Sequence, residues 1–271
     1  MERSDTEAGA QKKSSLLDTY LDRLDRVDRV QVRGRVREVT GLVVRASVPE
    51  ARVGEVVEVT CDGGDVLRAE VVGFEGEDIV LMPLGGVEGL GPQSEVEPLG
   101  RPMSIRCGEG LLGRVLDGLG RPMDGRGSLR GPGFEEWSIM RGAPDPLERK
   151  RITEPLEMGI RAIDGLLTVG KGQRVGLFAG SGVGKSTLMG QIAKGCAADV
   201  IVVCLVGERG REVRDFLEEV LGPEGLERSV VVCATSDQPS LVRLKSAFVA
   251  TAVAEWFRDQ GASVMFMMDS V

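Results

Sequence analysis

The chain has 271 residues, a hydrophobic content of 42% and a formal net charge of -8. A chain of this length and composition can fill the core of one large or two ordinary domains. Its negative charge disfavours attraction to nucleic-acid phosphates or to an anionic lipid surface, so we predict no nucleic-acid partner. No apolar run reaches the roughly 18 residues of a membrane span, and the N-terminus lacks the apolar segment of a signal peptide, so we expect a cytoplasmic protein.

Cysteine and histidine usage narrows the possible chemistry. The five cysteines are irregularly spaced and form no CxxC pair, so we expect reduced packing residues. There is no histidine, which removes a histidine-based triad and the usual zinc sites. A general base must then be a carboxylate, a lysine or a tyrosine.

Residues 1–29 are predicted to form a polar tail and a short amphipathic helix. Leu17, Leu21 and Leu24 fall at helical spacing between acidic and basic residues. Two interpretations stay open for this helix, which either covers its own domain or docks a partner.

Residues 30–99 are predicted to form a small β-barrel domain. Short valine-rich runs alternate with Gly, Pro and Asp at intervals of about ten residues, which is typical of a closed or nearly closed barrel. A barrel that binds nucleic acid needs exposed aromatic and basic side chains. This stretch is acidic and Phe74 is its single aromatic residue, so an assembly collar is favoured.

Residues 100–271 are predicted to form a nucleotide-binding domain with a leading linker. Residues 100–148 are rich in Gly, Pro and Arg, which indicates ordered loops with a few short strands. After Arg151, strand-like and helix-like segments alternate, as a parallel α/β sheet requires. The predicted strands are Arg174–Phe178, Val200–Val206, Ser229–Ala234 and Val264–Met268, and the predicted helices are Lys185–Cys196, Glu212–Leu221 and Leu241–Gln260.

The strongest motif is AGSGVGKST at residues 179–187, between an apolar run and a helix-like segment. In such a loop the glycines let backbone N–H groups surround phosphate oxygens, and the lysine neutralises the β and γ phosphates. A glycine turn without a ligand is the alternative, and the flanking pattern disfavours it. The motif predicts ATP and Mg²⁺ as cofactors, Lys185 as a catalytic residue and Ser186 as a magnesium ligand. The predicted nucleotide-binding residues are Gly180, Ser181, Gly182, Val183, Gly184, Lys185, Ser186 and Thr187.

Two further predicted strands deliver charged residues to the ligand-binding edge of the sheet. Asp269 follows Val264–Met268, where a Walker B aspartate supports magnesium. Glu208 follows Val200–Val206 and is the candidate to polarise the attacking water, with Arg209 countering developing charge. A solvated charge run that caps the next helix is the alternative for Glu208 and its neighbours.

Several long motifs resemble those of type III secretion and flagellar protein export ATPases, relatives of the catalytic subunits of rotary ATP synthases. They are ITEPLEMGIRAIDGLLTVGKGQRVGLFAGSGVGKSTL, GERGREVRDFLE, ATSDQPSLVRL and AEWFRDQGASVMFMMDSV. The resemblance implies a RecA-type P-loop NTPase core behind an N-terminal β-barrel. It also implies phosphate and magnesium binding at residues 182–187, a catalytic Glu208, magnesium support by Asp269 and nucleotide-site roles for Arg209 and Glu212.

The resemblance further implies partners and a location. These are a hexameric ring of identical subunits, stalk and stator proteins, chaperone–substrate complexes and peripheral association with an inner-membrane export gate. The similar ATPases continue well beyond the Walker B strand and supply an arginine finger there. We therefore expect a truncated chain with an incomplete sheet and, by itself, little turnover.

Three other functions stay open. A nucleotide-binding assembly module without turnover is compatible with a truncated chain. A rotary ATP synthase subunit fits the core, although GERGREVRDFLE and AEWFRDQG favour the export enzymes. A hexameric RNA translocase has a similar core, but the acidic barrel disfavours it.

Overall fold

The structure is a computed structural model that describes residues 32–61, 63–180 and 182–270. The predicted tail and amphipathic helix of residues 1–29 lie outside the described residues, as does Ser181. Within the described ranges, no helix is both long and apolar enough to cross a bilayer.

The first described part is a closed six-stranded antiparallel barrel, which confirms the predicted barrel. Its strand order is β1-β2-β5-β4-β3-β6, and pairing of β1 with β6 closes it. Alternate side chains such as Val57, Val71 and Leu81 point inward and are fully buried, as the two-residue period of a strand requires. The strands are β1 (Gly34–Thr40), β2 (Val43–Ser47), β3 (Glu55–Thr60), β4 (Val66–Glu75), β5 (Asp78–Pro83) and β6 (Glu95–Pro102).

The predicted linker contains three short strands and a 3₁₀ turn at Glu109–Leu111. Strands β7 (Ser104–Cys107) and β9 (Glu135–Ser138) pair antiparallel as a separate two-stranded sheet. Strand β8 (Val115–Asp117) instead pairs in parallel with a strand of the nucleotide-binding part. The linker is therefore also part of the core sheet, which its loop-like composition did not predict.

The core is a four-stranded parallel sheet with the order β12-β10-β11-β8. Its strands β10 (Val200–Val206), β11 (Ser229–Ala234) and β12 (Val264–Met268) have the predicted bounds. Both faces of β10 are buried, so the strand is a continuous apolar run rather than an alternating one. The sheet confirms the predicted α/β class.

Helices cover both faces of this sheet. Val202 and Cys204 pack towards the last helix and the linker, whereas Ile201 and Val203 pack towards the helices near the P-loop. The α-helices are α1 (Arg161–Leu166), α2 (Lys185–Gly195), α3 (Gly210–Asp215), α4 (Gly222–Glu227) and α5 (Ser240–Asp259).

The helical stretch after β10 differs from its prediction as one regular helix. It starts as α3, continues as a π-helical segment over Phe216–Leu221 and ends as α4. Helix α2 packs tightly on the π-helical segment at Gly190. A Cβ atom at this position would overlap the Val220 side chain. The irregularity therefore lies directly beside the P-loop helix.

One predicted strand is wrong in this structure. Arg174–Phe178 forms no regular structure, and its apolar side chains are exposed, with 96% of Phe178 accessible. A strand needs backbone partners, and no described strand pairs with this segment. The P-loop therefore follows an irregular stretch rather than a strand of the sheet.

Candidate nucleotide site

The candidate site lies at the carboxyl ends of two neighbouring strands. Strands β10 and β12 pair in parallel from Val200 opposite Val264 to Cys204 opposite Met268. Glu208 follows β10, and Asp269 follows β12 and donates its backbone N–H to the Cys204 carbonyl at 3.1 Å. The parallel register brings the two carboxylates to the same edge, where ligands bind in open α/β sheets.

The P-loop enters this edge through glycines in left-handed conformations. Gly182 and Gly184 have φ values of 74° and 96°, which side chains with a Cβ rarely adopt. Gly184 is the N-cap of α2, which begins at Lys185. The loop therefore ends at a helix N-terminus, where backbone N–H groups and the helix dipole favour an anion.

Lys185 contacts the Walker B position directly. Its Nζ lies 2.6 Å from Oδ1 of Asp269 and donates to the Asp269 backbone carbonyl at 3.1 Å. The Asp269 side chain is only 3% exposed, whereas Lys185 is 31% exposed. Burial opposes ionisation of Asp269, but hydrogen bonding with Glu208 and Lys185 outweighs it and keeps the pKa of Asp269 below its usual range.

Glu208 shares its surroundings with two other carboxylates. Hydrogen bonding with Asp269 and then with Glu212, followed by burial and the charges of both neighbours, raises the pKa of Glu208 to about 8. When Glu208 is ionised, three carboxylates lie together and Lys185 is paired with only one of them, Asp269, so a proton shared by Glu208 is favourable. The neighbouring carboxylates therefore keep the pKa of Glu208 well above its usual range.

A cavity of about 240 Å³ opens between α2, the end of β10 and the start of the α3 stretch. Four carboxylates contribute to its wall, namely those of Glu208, Glu212, Asp215 and Asp269. Ser186 lines the same cavity at the start of α2. The structure thus brings the predicted magnesium ligands Ser186 and Asp269 together with the predicted catalytic carboxylate.

Other predicted site residues lie outside this cavity. Arg209 points to solvent, where its guanidinium lies 3.9 Å from a Glu212 carboxylate oxygen and is 67% exposed. Gly180, Gly182, Val183, Gly184 and Thr187 are exposed along the loop and do not line the cavity. Sequence reasoning missed the lining residues Asp215 and Phe216. The signal for Asp215 was its position three residues after Glu212, on the same side of a helix.

The residues present fit magnesium and a polyphosphate. The Asp269 carboxylate is almost fully buried beside the cavity that Ser186 also lines, a position from which it can hold Mg²⁺ through a water molecule. The described residues contain no cluster of three or more side chains that could hold a metal alone. Mg²⁺ in phosphate-transfer sites is usually bound through one or two protein groups plus phosphate oxygens, so this donor set is suitable.

The fold and the site define a P-loop nucleotide-binding protein with a β-barrel in front of its parallel-sheet core. The chain belongs to the ATP synthase alpha/beta family. Residues 36–100 match the beta-barrel domain of that family, and residues 159–271 match its nucleotide-binding domain.

Individual relatives are named as flagellar and type 3 secretion ATPases, which confirms the resemblance read from the motifs. The chain is 51% identical over 255 residues to a "Flagellum-specific ATP synthase" of Bacillus subtilis, covering 93% of the chain and 58% of the relative. It is 51% identical over 240 residues to a "Type 3 secretion system ATPase" of Xanthomonas euvesicatoria, covering 88% and 54%. The chain thus spans a little over half the length of these relatives.

A solved structure supports the same assignment. The assembled ATPase EscN of the enteropathogenic E. coli type III secretion system, in complex with its central stalk EscO, matches with a TM-score of 0.80 and 45% identity. The match covers 88% of this chain and 57% of EscN. The match therefore includes the sequence as well as the fold.

Proposed function

We propose that this chain is the ATP-binding and ATP-hydrolysing part of a bacterial type III protein export apparatus, flagellar or injectisome. The observation that carries the proposal is the meeting of Lys185, Glu208 and Asp269 at the carboxyl ends of β10 and β12. The relatives named for flagellar and type III secretion ATPases support the export assignment.

Each residue has a proposed role. Residues 180–187 hold the phosphates through backbone N–H groups, and Lys185 neutralises charge on the β and γ phosphates. Ser186 and Asp269 hold Mg²⁺, which supplies further neutralisation of phosphate charge when bound. Lys185 must exchange its contact with Asp269 for phosphate oxygens, because one ammonium group has only three donors.

Glu208 is the proposed base that orients and polarises the attacking water. It can accept a proton only after losing its own, so the raised pKa must fall when cations enter the carboxylate cluster. The Arg209 side chain is exposed beside Glu212, and Glu212 shares hydrogen bonding with Glu208. We retain both as site residues on the rim.

The partners and boundaries are also proposals. We propose a homo-oligomeric ring, hexameric by resemblance, that binds stalk and stator proteins and chaperone–substrate complexes, in the cytoplasm at the inner-membrane export gate. The solved complex of EscN with its central stalk EscO supports a stalk partner. We propose division of the chain into a leading segment at 1–29, a barrel at 30–99 and a nucleotide-binding domain at 100–271.

A second candidate is a nucleotide-binding module without turnover. The observation that favours it is the exposed, irregular stretch Arg174–Phe178 directly before the P-loop. A loop that lacks support from the sheet is less well placed for chemistry than for binding, because catalysis needs geometry held within a fraction of an ångström. Binding of Mg-ATP with no phosphate release would support this candidate.

The test is substitution of the P-loop lysine. Lys185→Ala should weaken Mg-ATP binding by at least about tenfold and abolish phosphate release, because charge neutralisation at the γ phosphate is lost. Binding is measured by calorimetry on the chain, and turnover on the chain and on a complete relative with the equivalent change. Lys150→Ala is the matched control, since Lys150 is exposed. Unchanged binding and turnover in the Lys185 variant would refute the proposal.

A further inference from the structure

A second cavity, of about 390 Å³, lies away from the nucleotide site and shares no lining residue with it. Its walls come from the barrel, from the two-stranded β7/β9 sheet and from the segments that flank β8 and lead to β9. Ligand sites occur preferentially at such junctions between domains, and this volume falls within the range of small-molecule sites. We call this cavity the junction cleft.

The junction cleft is strongly basic in an acidic chain. Its lining includes five arginines and one carboxylate, that of Glu136, although the whole chain has a net charge of -8. Below the charged groups lie buried apolar side chains, including Met103, Ile105 and Leu129. The arginines are Arg68, Arg101, Arg106, Arg121 and Arg130.

Three of these arginines have partners within the protein. Arg68 donates to the Glu58 carboxylate at 2.9 and 3.0 Å, and Arg101 pairs with Glu136. Arg106 donates weakly to a backbone carbonyl at 3.4 Å. Their positive charges are therefore partly balanced before any ligand is considered.

The charges of the other two arginines are not balanced by any carboxylate of the described residues. The side chains of Arg121 and Arg130 are exposed and make no hydrogen bond or ion pair with the described residues. Each guanidinium carries donors in a fixed fork that matches two oxygens of one phosphate. Two uncommitted guanidiniums on one concave wall are suited to an anion with several charges.

We propose that the junction cleft binds a small phosphorylated molecule through Arg121 and Arg130. A compact multivalent phosphate suits the cleft better than an extended acidic peptide, because the two arginines line a single concave site of limited volume. An occupant would contact the barrel and the linker together.

The test uses pyrophosphate as the probe and weakens the P-loop as a competing site. In a Lys185→Ala background without magnesium, the chain should bind pyrophosphate measurably by titration calorimetry. Arg121→Gln/Arg130→Gln should weaken this binding at least about tenfold, since two charge-assisted contacts are lost. Arg149→Gln/Arg151→Gln is the matched control, because both of these arginines are also exposed, and it should change the affinity less than about twofold.

Several results would overturn the proposal. Equal pyrophosphate affinity in the cleft and control variants would show that the cleft does not bind it, and equal weakening would show a general charge effect. Tighter binding of a hexaglutamate peptide than of pyrophosphate would favour a protein partner instead. If Arg121→Gln/Arg130→Gln fails to fold, the same titration is made with Arg121→Lys/Arg130→Lys. This variant keeps both positive charges but lacks the forked donors of the guanidinium groups, so an unchanged pyrophosphate affinity counts against the proposal.

Discussion

A buried ion pair joins the barrel to the nucleotide-binding part, and its removal should destabilise the chain strongly. Lys245 of α5 lies 2.6 and 2.8 Å from the two carboxylate oxygens of Glu70 in β4. The side chains are only 5% and 11% exposed. Lys245→Met keeps most of the side-chain volume but leaves a carboxylate buried without its cation.

The magnitude follows from burial. Removing one partner of a buried pair costs about 3–5 kcal/mol, because the other charge stays desolvated. Replacing both partners in Glu70→Met/Lys245→Met should recover most of that loss, since no charge is then buried. The matched control is Lys171→Met, which breaks the exposed Lys171–Glu154 pair at 3.0 Å and should cost less than about 1 kcal/mol.

The assay is urea unfolding of the four proteins at one pH, followed by far-UV circular dichroism. The expected order of midpoints places the single Lys245 variant lowest, with the double variant near the control. If Lys245→Met and Lys171→Met lose the same small amount, burial does not set the energy of this pair. If the double variant is as unstable as the single one, lost packing rather than the unpaired carboxylate is the cause.

Three further predictions concern carboxyl groups. Glu208→Gln should retain Mg-ATP binding within about threefold and stop phosphate release, because the amide keeps the shape but accepts no proton; parallel loss of both would make Glu208 structural. The folded-state pKa of Glu208 is raised to about 8, so its contribution to stability is complete below about pH 4.5 and is lost as the pH rises to about 8. The urea midpoint of the parent chain should therefore fall over that pH range, and the midpoint of Glu208→Gln should fall less. For Asp124, burial raises the pKa, but hydrogen bonds from Arg114 and from two backbone N–H groups outweigh burial and lower the pKa to about 2. The contribution of Asp124 to the free energy of unfolding is therefore lost as the pH falls from about 4 to about 2. Asp124→Asn should cost about 3 kcal/mol of stability at pH 7, and this variant should lose less stability than the parent chain between these two pH values.

The parallel strands of the core could be predicted to the residue. Val200–Val206, Ser229–Ala234 and Val264–Met268 are apolar runs bounded by charged or turn-forming residues, and strands that are buried on both faces leave this signature. The barrel could be predicted in the same way, because apolar and polar residues alternate along its strands and its turns contain glycine. Glu208 and Asp269 followed from their positions directly after two of these strands.

The missed features depend on contacts between distant segments. Strand β8 has three residues and exists through its pairing with β11, which no local pattern in the linker encodes. The π-helical segment Phe216–Leu221 packs against Gly190 of α2, and the sequence of a helix does not reveal what its neighbour imposes. Asp215 is a different case, because its position three residues after Glu212 could have placed it on the cavity wall.

The segment before the P-loop is the opposite case, because its sequence predicts a strand but no described strand pairs with it. Arg174–Phe178 has the composition of a strand but is exposed, whereas β12 is the edge strand of the described sheet and pairs on one side with β10. Neither the free edge of β12 nor Arg174–Phe178 has a backbone partner among the described strands. The glycine conformations, the start of α2 and the contact between Lys185 and Asp269 form without that pairing. Local sequence and the β10–β12 register therefore bring Lys185 and Asp269 together even though Arg174–Phe178 is unpaired.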